Sequence, residues 1–78
     1  IKIQAKDLDA QVDIINLVML SKLENSKSEI RRLIKGNAIK INDKIITDEK
    51  LIIKSELFND NYLKLSIGKK RHIKIEIN

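Results

Sequence analysis

Cysteine, proline and tryptophan are absent from this chain of 78 residues, glycine occurs twice and histidine once. Without cysteine there is no disulfide and no thiolate metal site, which fits a reducing, cytoplasmic setting. Without proline no stiff linker is marked. Gly36 and Gly68 are too few to build a phosphate loop or a dinucleotide fingerprint. The single His72 lies in an alternating stretch beside Lys74 and reads as a solvated strand residue. It has no second histidine, cysteine or apolar-set acid pair with which to form a triad or a metal site, so neither catalysis nor a metal nor a cofactor is expected of this chain. The two aromatic residues, Phe58 and Tyr62, do not make the stacking platform of single-strand binders. Phe58 is assigned to the core and Tyr62 to the cover of a sheet edge. No apolar run approaches the ~18 residues of a membrane span. The nearest, Ile14 to Leu20, is short and broken by Asn16. The N-terminus does not follow the pattern of a secretory signal.

What the chain has in excess is positive charge: a net +5 with a pI near 9.6. Such a balance favours polyanionic partners, either nucleic acid or an acidic membrane surface. The richness in Ile, Lys and Asn follows from A- and T-rich coding DNA, so bulk lysine carries little information and clustering carries more. Two clusters stand out, Lys27 to Lys35 and Lys69-Lys70-Arg71. The length corresponds to one domain or part of one, large enough for a modest core but not for a deep catalytic cleft as well. The chain opens on Ile1, and it is expected to be a piece of a longer protein.

Ser26 to Gly36 reads as a complete short helix. Ser26 and Glu29 have capping-box spacing, in which the hydroxyl accepts from the Glu29 backbone and the carboxylate reaches back. Gly36 stands where a left-handed closing residue is least costly. At about 100° per residue, Ile30, Leu33 and Ile34 form one apolar stripe. Lys27, Ser28, Arg31, Arg32 and Lys35 gather on the other side. Of the three arginines in the chain, two are Arg31 and Arg32. Their planar guanidinium forks suit bidentate contact with phosphate. The helix start adds backbone N–H groups and a positive dipole end near Ser26 to Ser28.

Around this helix the pattern predicts a small α+β domain: two packed N-terminal helices followed by a small, mainly antiparallel sheet. Residues 1–12 are assigned to a linker or tail and residues 13–78 to the domain, with Ile1-Lys2-Ile3 open to a short strand or a tail. Asp13, in preference to Asp9, caps an apolar helix over Ile14 to Ser21. The short link Lys22 to Asn25 implies that the two helices pack closely. After Gly36 the period falls to two. Ile39 and Ile41 alternate with Lys40 and Asn42, Asn42-Asp43 is a hairpin turn, and Lys44 to Thr47 returns as a strand. Residues 48–61 read as a loop that tucks its apolar islands into the core. Leu63, Leu65 and Ile67, then Ile73, Ile75 and Ile77, alternate on either side of a turn at Gly68-Lys69. The expected core unites Leu17, Val18, Ile30, Leu33, Ile34, Ile39, Ile41, Leu65, Ile67 and Ile75. Lys40 and Asn42 are expected on the exposed side of their strand, convergent with the cationic helix.

Ser26-Lys27-Ser28 also has the form of the mobile ATP-binding loop of class I aminoacyl-tRNA synthetases. That loop works beside a nucleotide-binding sheet domain, which this chain has no room for, and a helix start accounts for more of the neighbouring residues. The run Ser-Lys-Ser-Glu-Ile-Arg-Arg-Leu-Ile-Lys-Gly, followed by Ala-Ile-Lys-Ile-Asn-Asp-Lys, resembles the small RNA-binding domain (alpha-L motif) of the S-four type, first described in a ribosomal protein. With Leu63-Lys64-Leu65-Ser66-Ile67-Gly68-Lys69-Lys70-Arg71-His72 and a final strand, it is similar to the C-terminal domain of bacterial-type tyrosyl-tRNA synthetases. That resemblance implies a domain that grips structured RNA, tRNA(Tyr) in particular, by phosphate and shape. The positions carried over are Ser26, Lys27, Ser28, Arg31, Arg32, Lys35, Lys40 and Asn42, with Lys69, Lys70 and Arg71 beside them. It also implies a monomeric fragment of a homodimeric parent that uses ATP to join tyrosine to tRNA. Two departures stand against the family pattern, Lys22 and Asp43, both where glycine is common. The rival readings are the same domain type from a pseudouridine synthase, a ribosomal protein or a ribosome-rescue factor, and a basic interaction module without RNA function.

Overall fold

The computed structural model describes residues 2–77, apart from the side chains of Ala5 and Asp9; Ile1, Asn78 and the side chain of the alternative cap Asp9 therefore lie outside what is described. The chain runs β1 (Lys2–Ile3), α1 (Ala5–Asp9), α2 (Ile14–Ser21), α3 (Lys27–Lys35), β2 (Ile39–Ile41), β3 (Lys44–Ile45), β4 (Tyr62–Ile67) and β5 (Arg71–Ile77), with a 3-10 turn at Ser55–Leu57. The strands form one sheet in the order β1-β5-β4-β2-β3. Every pairing is antiparallel except β1 with β5. This is the α+β arrangement expected, with a short strand and a short helix added at its start. Those additions fall on residues assigned to a linker or tail. Lys2 and Ile3 pair with Glu76 and Ile77 across the whole sequence, and Ile3 is buried.

Local chemistry sets both long helices. Asp13 Oδ1 accepts from the Asn16 N–H at 2.8 Å, which satisfies one of the orphan donors at the start of α2. The helix is apolar on most sides and buries Ile14, Ile15, Leu17 and Val18. Its last residue, Ser21, is buried too, and its hydroxyl donates to the Val18 carbonyl at 2.6 Å. Ser26 Oγ accepts from the Glu29 N–H at 3.3 Å and starts α3. The other half of the expected capping box is replaced: Glu29 Oε1 accepts from Arg32 at 2.7 Å instead. A guanidinium one turn away competes well with a backbone N–H because both partners are charged.

The end of α3 also departs from expectation. Gly36 has φ −85°, and the left-handed residue is Asn37 at φ 60°. The Asn37 N–H donates to the Ile34 carbonyl at 3.1 Å and the Ala38 N–H to the Leu33 carbonyl at 2.9 Å. This is a Schellman closure with asparagine, not glycine, in the left-handed position. Asparagine tolerates that conformation because its short amide bonds locally. With glycine so scarce, the chain makes most of its tight turns this way. Asn42-Asp43 and Asp60-Asn61 are all left-handed, φ 51° to 70°. The first pair closes the β2–β3 hairpin with the mirror-image turn that matches strand twist.

Gln11, at φ 61°, and Lys22 depart from this pattern, and Lys22 closes α2 at φ 63° with neither a glycine nor an amide to ease the strain. Lys22→Gly is therefore expected to stabilise the fold by about 0.5–1 kcal/mol, the left-handed penalty less the entropy that glycine adds to the unfolded chain. For a domain of this size that is a rise in Tm of roughly 2–8 °C. Gly36→Ala is the contrasting case. Its Cβ would meet only the Arg32 and Leu33 carbonyls, at 3.5 and 3.7 Å, so the melt should barely move. A large loss at Gly36 and no gain at Lys22, by calorimetry, would contradict these backbone assignments.

The core lies between the helices and one face of the sheet. Of the residues expected there, Leu33 alone is only half-buried; Ile14, Ile15, Ile53 and Leu63 join the set. The segment after β3 tucks in most of its apolar islands: Ile53 is buried and Leu51, Leu57 and Phe58 pack against the core, while Ile52 is exposed. Two backbone bonds pin it beside the start of α2, Ile14 N–H to Leu51 at 2.9 Å and Ile53 N–H to Val12 at 2.8 Å. Tyr62 does not cover a sheet edge. It opens β4, an interior strand, and is exposed opposite Glu76.

Candidate nucleic-acid interface

The buried stripe of α3 fixes which way its charges point. Ile30 and Ile34 are buried, while Lys27, Ser28, Arg31, Arg32 and Lys35 are all exposed. Ser26, at the cap, is half-buried, and its hydroxyl lies 3.1 Å from that of Ser28. The two arginines differ in their surroundings. Arg32 is held by Glu29 at 2.7 Å, and that hydrogen bond together with the carboxylate's charge raises its pKa. Arg31 approaches Glu49, from the segment after β3, at 3.9 Å. Both pairs are at the surface, where such contacts are weak and readily exchanged for another anion.

The second basic cluster is brought to the first by long-range contacts. Lys69 and Lys70 occupy the exposed turn between β4 and β5, and Arg71 opens β5. Arg71 Nη1 donates to the Leu23 carbonyl in the link before α3 at 3.2 Å. The Gly68 N–H donates to the Ala38 carbonyl just after α3 at 2.8 Å. The turn is thus seated against the chain on both sides of the cationic helix. Gly68 itself is left-handed at φ 65°.

The remaining expected residues lie elsewhere. Ile39 and Ile41 face the helices, so Lys40 between them projects from the open face of the sheet, beside Ser66 and Ile45, and does not converge with α3. Asn42 is engaged by the fold. Its Nδ2 donates to the Leu57 carbonyl at 2.7 Å, and its Oδ1 accepts from the Lys64 N–H at 3.0 Å. It ties the β2–β3 turn to β4 and to the 3-10 turn, which is a shaping role. His72 is exposed on β5, as expected.

The open face carries further cations that sequence reasoning left out. Lys64 on β4 stands directly across from Lys74 on β5. Lys64 Nζ is 3.0 Å from Asp43, and Lys2 is 3.5 Å from Glu76. Lys74 Nζ lies 5.8 Å from the centre of the Tyr62 ring. The neighbouring Glu76 carboxylate, by hydrogen bonding and by its charge, favours the protonated phenol and raises the pKa of Tyr62. Alternation alone assigns Lys64 and Lys74 to a wet face. Their being opposite each other depends on the length of the turn between them. Among the described residues no group of His, Asp and Glu is placed to hold a metal, and no helix is long and apolar enough to cross a membrane.

Residues 2–75 match the family described as Tyrosine–tRNA ligase SYY-like C-terminal domain. The chain is similar to the tyrosine–tRNA ligase of Pelagibacter ubique, with 59% identity over 97% of this chain and 19% of that protein. It is 39% identical to the Agrobacterium fabrum ligase over 94% of the chain and 18% of that protein. For the Ehrlichia canis ligase the identity is 47%, over 88% of the chain and 17% of that protein. The chain therefore spans about a fifth of the length of these relatives. The lysine-closed α2, the capped cationic α3 and the β4–β5 hairpin as far as Ile75 fall inside the matched stretch, and the chain belongs to the SYY-like C-terminal domain family of tyrosine–tRNA ligases.

Proposed function

We propose that this domain holds tRNA, and tRNA(Tyr) in particular, for a parent tyrosine–tRNA ligase. The observation that carries the reading is the disposition of α3: Ile30 and Ile34 of its apolar stripe are buried, and Lys27, Arg31, Arg32 and Lys35 on the opposite side are exposed. Ser26, Lys27, Ser28, Arg31, Arg32 and Lys35 are the proposed contacts, flanked by Lys69, Lys70 and Arg71. Arginine forks take phosphate oxygens in pairs, lysines add point charges, and the N–H groups at the start of α3 favour an anion there. With two aromatic residues in the chain, recognition rests on phosphate, sugar and shape more than on base stacking. Lys40 lies off this surface, and Asn42 serves it by shaping the turn. On this reading ATP, the ligation reaction and the dimer contacts belong to other parts of the parent, and the isolated domain is monomeric.

The salt dependence of binding tests the electrostatic basis. Each neutralised phosphate contributes a log–log slope of about 0.7–0.9, so roughly four to six contacts give a slope near −3 to −5. The measurement is a titration of labelled tRNA(Tyr) at several salt concentrations. A slope near −1 would make the basic surface a bystander.

A further inference from the structure

Lys22 holds a left-handed conformation, φ 63°, that glycine adopts without strain. Residues kept in such conformations cluster at ligand-binding positions. Lys22 is exposed, and its ammonium has no ion pair or hydrogen bond among the described residues. A cation at a helix C-terminus does gain from the dipole. That gain is open to an unstrained lysine anywhere in the last turn, and α2 has no basic residue there. Beside Lys22, the residues Met19, Leu23, Glu24 and Asn25 line a recess of ≈ 400 Å³. Sites that hold small ligands have volumes of about 300–1,000 Å³.

The recess joins apolar and polar walls. Met19 and Leu23 are half-buried and pack against the core. Glu24 Oε1 accepts from the Asn25 N–H at 2.9 Å, and Oε2 has no partner among the described residues. The Asn25 amide is exposed and also has none. The backbone around the recess is fixed at three points. The Lys22 N–H donates to the Met19 carbonyl, the Leu23 N–H to Ser21 Oγ and Arg71 Nη1 to the Leu23 carbonyl, each at 3.2 Å. Asn25 directly precedes Ser26, the cap of α3, so the recess adjoins the start of the cationic helix. We propose that this recess is a nucleotide subsite of the RNA-binding surface, in which Lys22 takes a phosphate, Met19 and Leu23 cover the base of one unpaired nucleotide, and Asn25 and Glu24 hydrogen-bond to its edge. A phosphate alone has no use for the apolar wall, and a paired base has no free edge to offer; an unpaired nucleotide supplies both. A carboxylate only accepts, so a base with an exocyclic amino group fits and uracil does not. Neither aromatic residue lines the recess, so it seats one base and not a stack.

This subsite rests on the tRNA-binding role proposed above, and the variants separate the two. Labelled tRNA(Tyr) is titrated against the chain by anisotropy at several salt concentrations, with a thermal melt of each variant. Lys22→Gln keeps the backbone strain and removes the charge. It is expected to weaken binding about 3- to 5-fold and to make the log–log slope shallower by about 0.7–0.9, the share of one phosphate. Lys22→Gly should melt higher than the wild type yet bind as weakly as Lys22→Gln. Lys22→Arg should keep both affinity and slope. Lys54→Gln controls for net charge. Its neighbour Ile53 is tied to Val12, beyond the other end of α2, a helix of eight residues and so about 12 Å long. That exceeds a Debye length, and binding should change by less than about 1.5-fold. With no cysteine in the chain, Asn25→Cys can carry a single benzophenone label. Photo-crosslinking to tRNA(Tyr) is expected to mark one unpaired adenosine, guanosine or cytidine. Wild-type affinity and slope in Lys22→Gln and Lys22→Gly, with loss in an Arg31/Arg32 variant, overturn the subsite and leave the α3 reading standing. A lower melt with unchanged binding in Lys22→Gly also overturns it, since Lys22 would then serve the helix end alone. Equal loss in Lys54→Gln overturns it as a net-charge effect. Crosslinks to a uridine, or spread along paired stems, overturn the seating of the base. Full binding in all variants, those of Arg31 and Arg32 included, removes the tRNA-binding role itself.

Discussion

Reversing Arg31 and Arg32 together to glutamate is expected to weaken tRNA binding by about 100-fold or more near 0.1 M salt, because two charge-assisted contacts become two repulsions. The fold should survive. Both side chains are at least half exposed, and neither belongs to the buried stripe of Ile30 and Ile34. Arg32→Glu does place a second carboxylate beside Glu29, so a slightly lower melting temperature is expected. Circular dichroism and an anisotropy titration on the same preparation read both outcomes. A collapsed melt would assign at least one arginine to the fold, through Glu29 or Glu49. Unchanged affinity in a folded variant would remove α3 from the interface.

Deleting this domain from the parent ligase is expected to separate the two steps of aminoacylation. Activation of tyrosine by ATP, followed by pyrophosphate exchange, should be spared. Transfer to tRNA(Tyr) should fall by about tenfold or more in kcat/KM, since only that step needs the RNA held in place. The loss should lie mainly in KM for tRNA if the domain supplies uniform binding, and in kcat as well if it also positions the acceptor end. Equal loss of both steps would point to a structural role for the domain. Loss of neither would mean that its partner is something other than tRNA(Tyr).

How much of this was legible in the chain depends on how local each feature is. The α3 surface was, because a cap at Ser26 and a period of 3.6 involve neighbours within two turns of helix. Those contacts form in any context that offers an apolar face to pack on. The cap at Asp13 and the alternation of β4 and β5 were legible for the same reason. Glycine was a poorer guide. It pointed to Gly36 as the left-handed residue, yet Asn37 takes that role, since any residue able to adopt positive φ can close a Schellman turn and packing after the helix selects which one does.

Sequence by itself determined the elements that carry the charge, the stripe that each buries, and a resemblance specific enough to name the family. Tertiary structure decided how those elements meet. The return of Lys2 and Ile3 to β5, the tie from Arg71 to Leu23, the engagement of Asn42 by Leu57 and Lys64, and the opposition of Lys64 and Lys74 all join residues far apart in the chain or depend on strand register. A shift of one residue in register would send every side chain of a strand to the other face. What selects the register is the joint burial of Ile39, Ile41, Leu65, Ile67 and Ile75 against α2 and α3, an energy that belongs to the packed core and to no single segment of the chain.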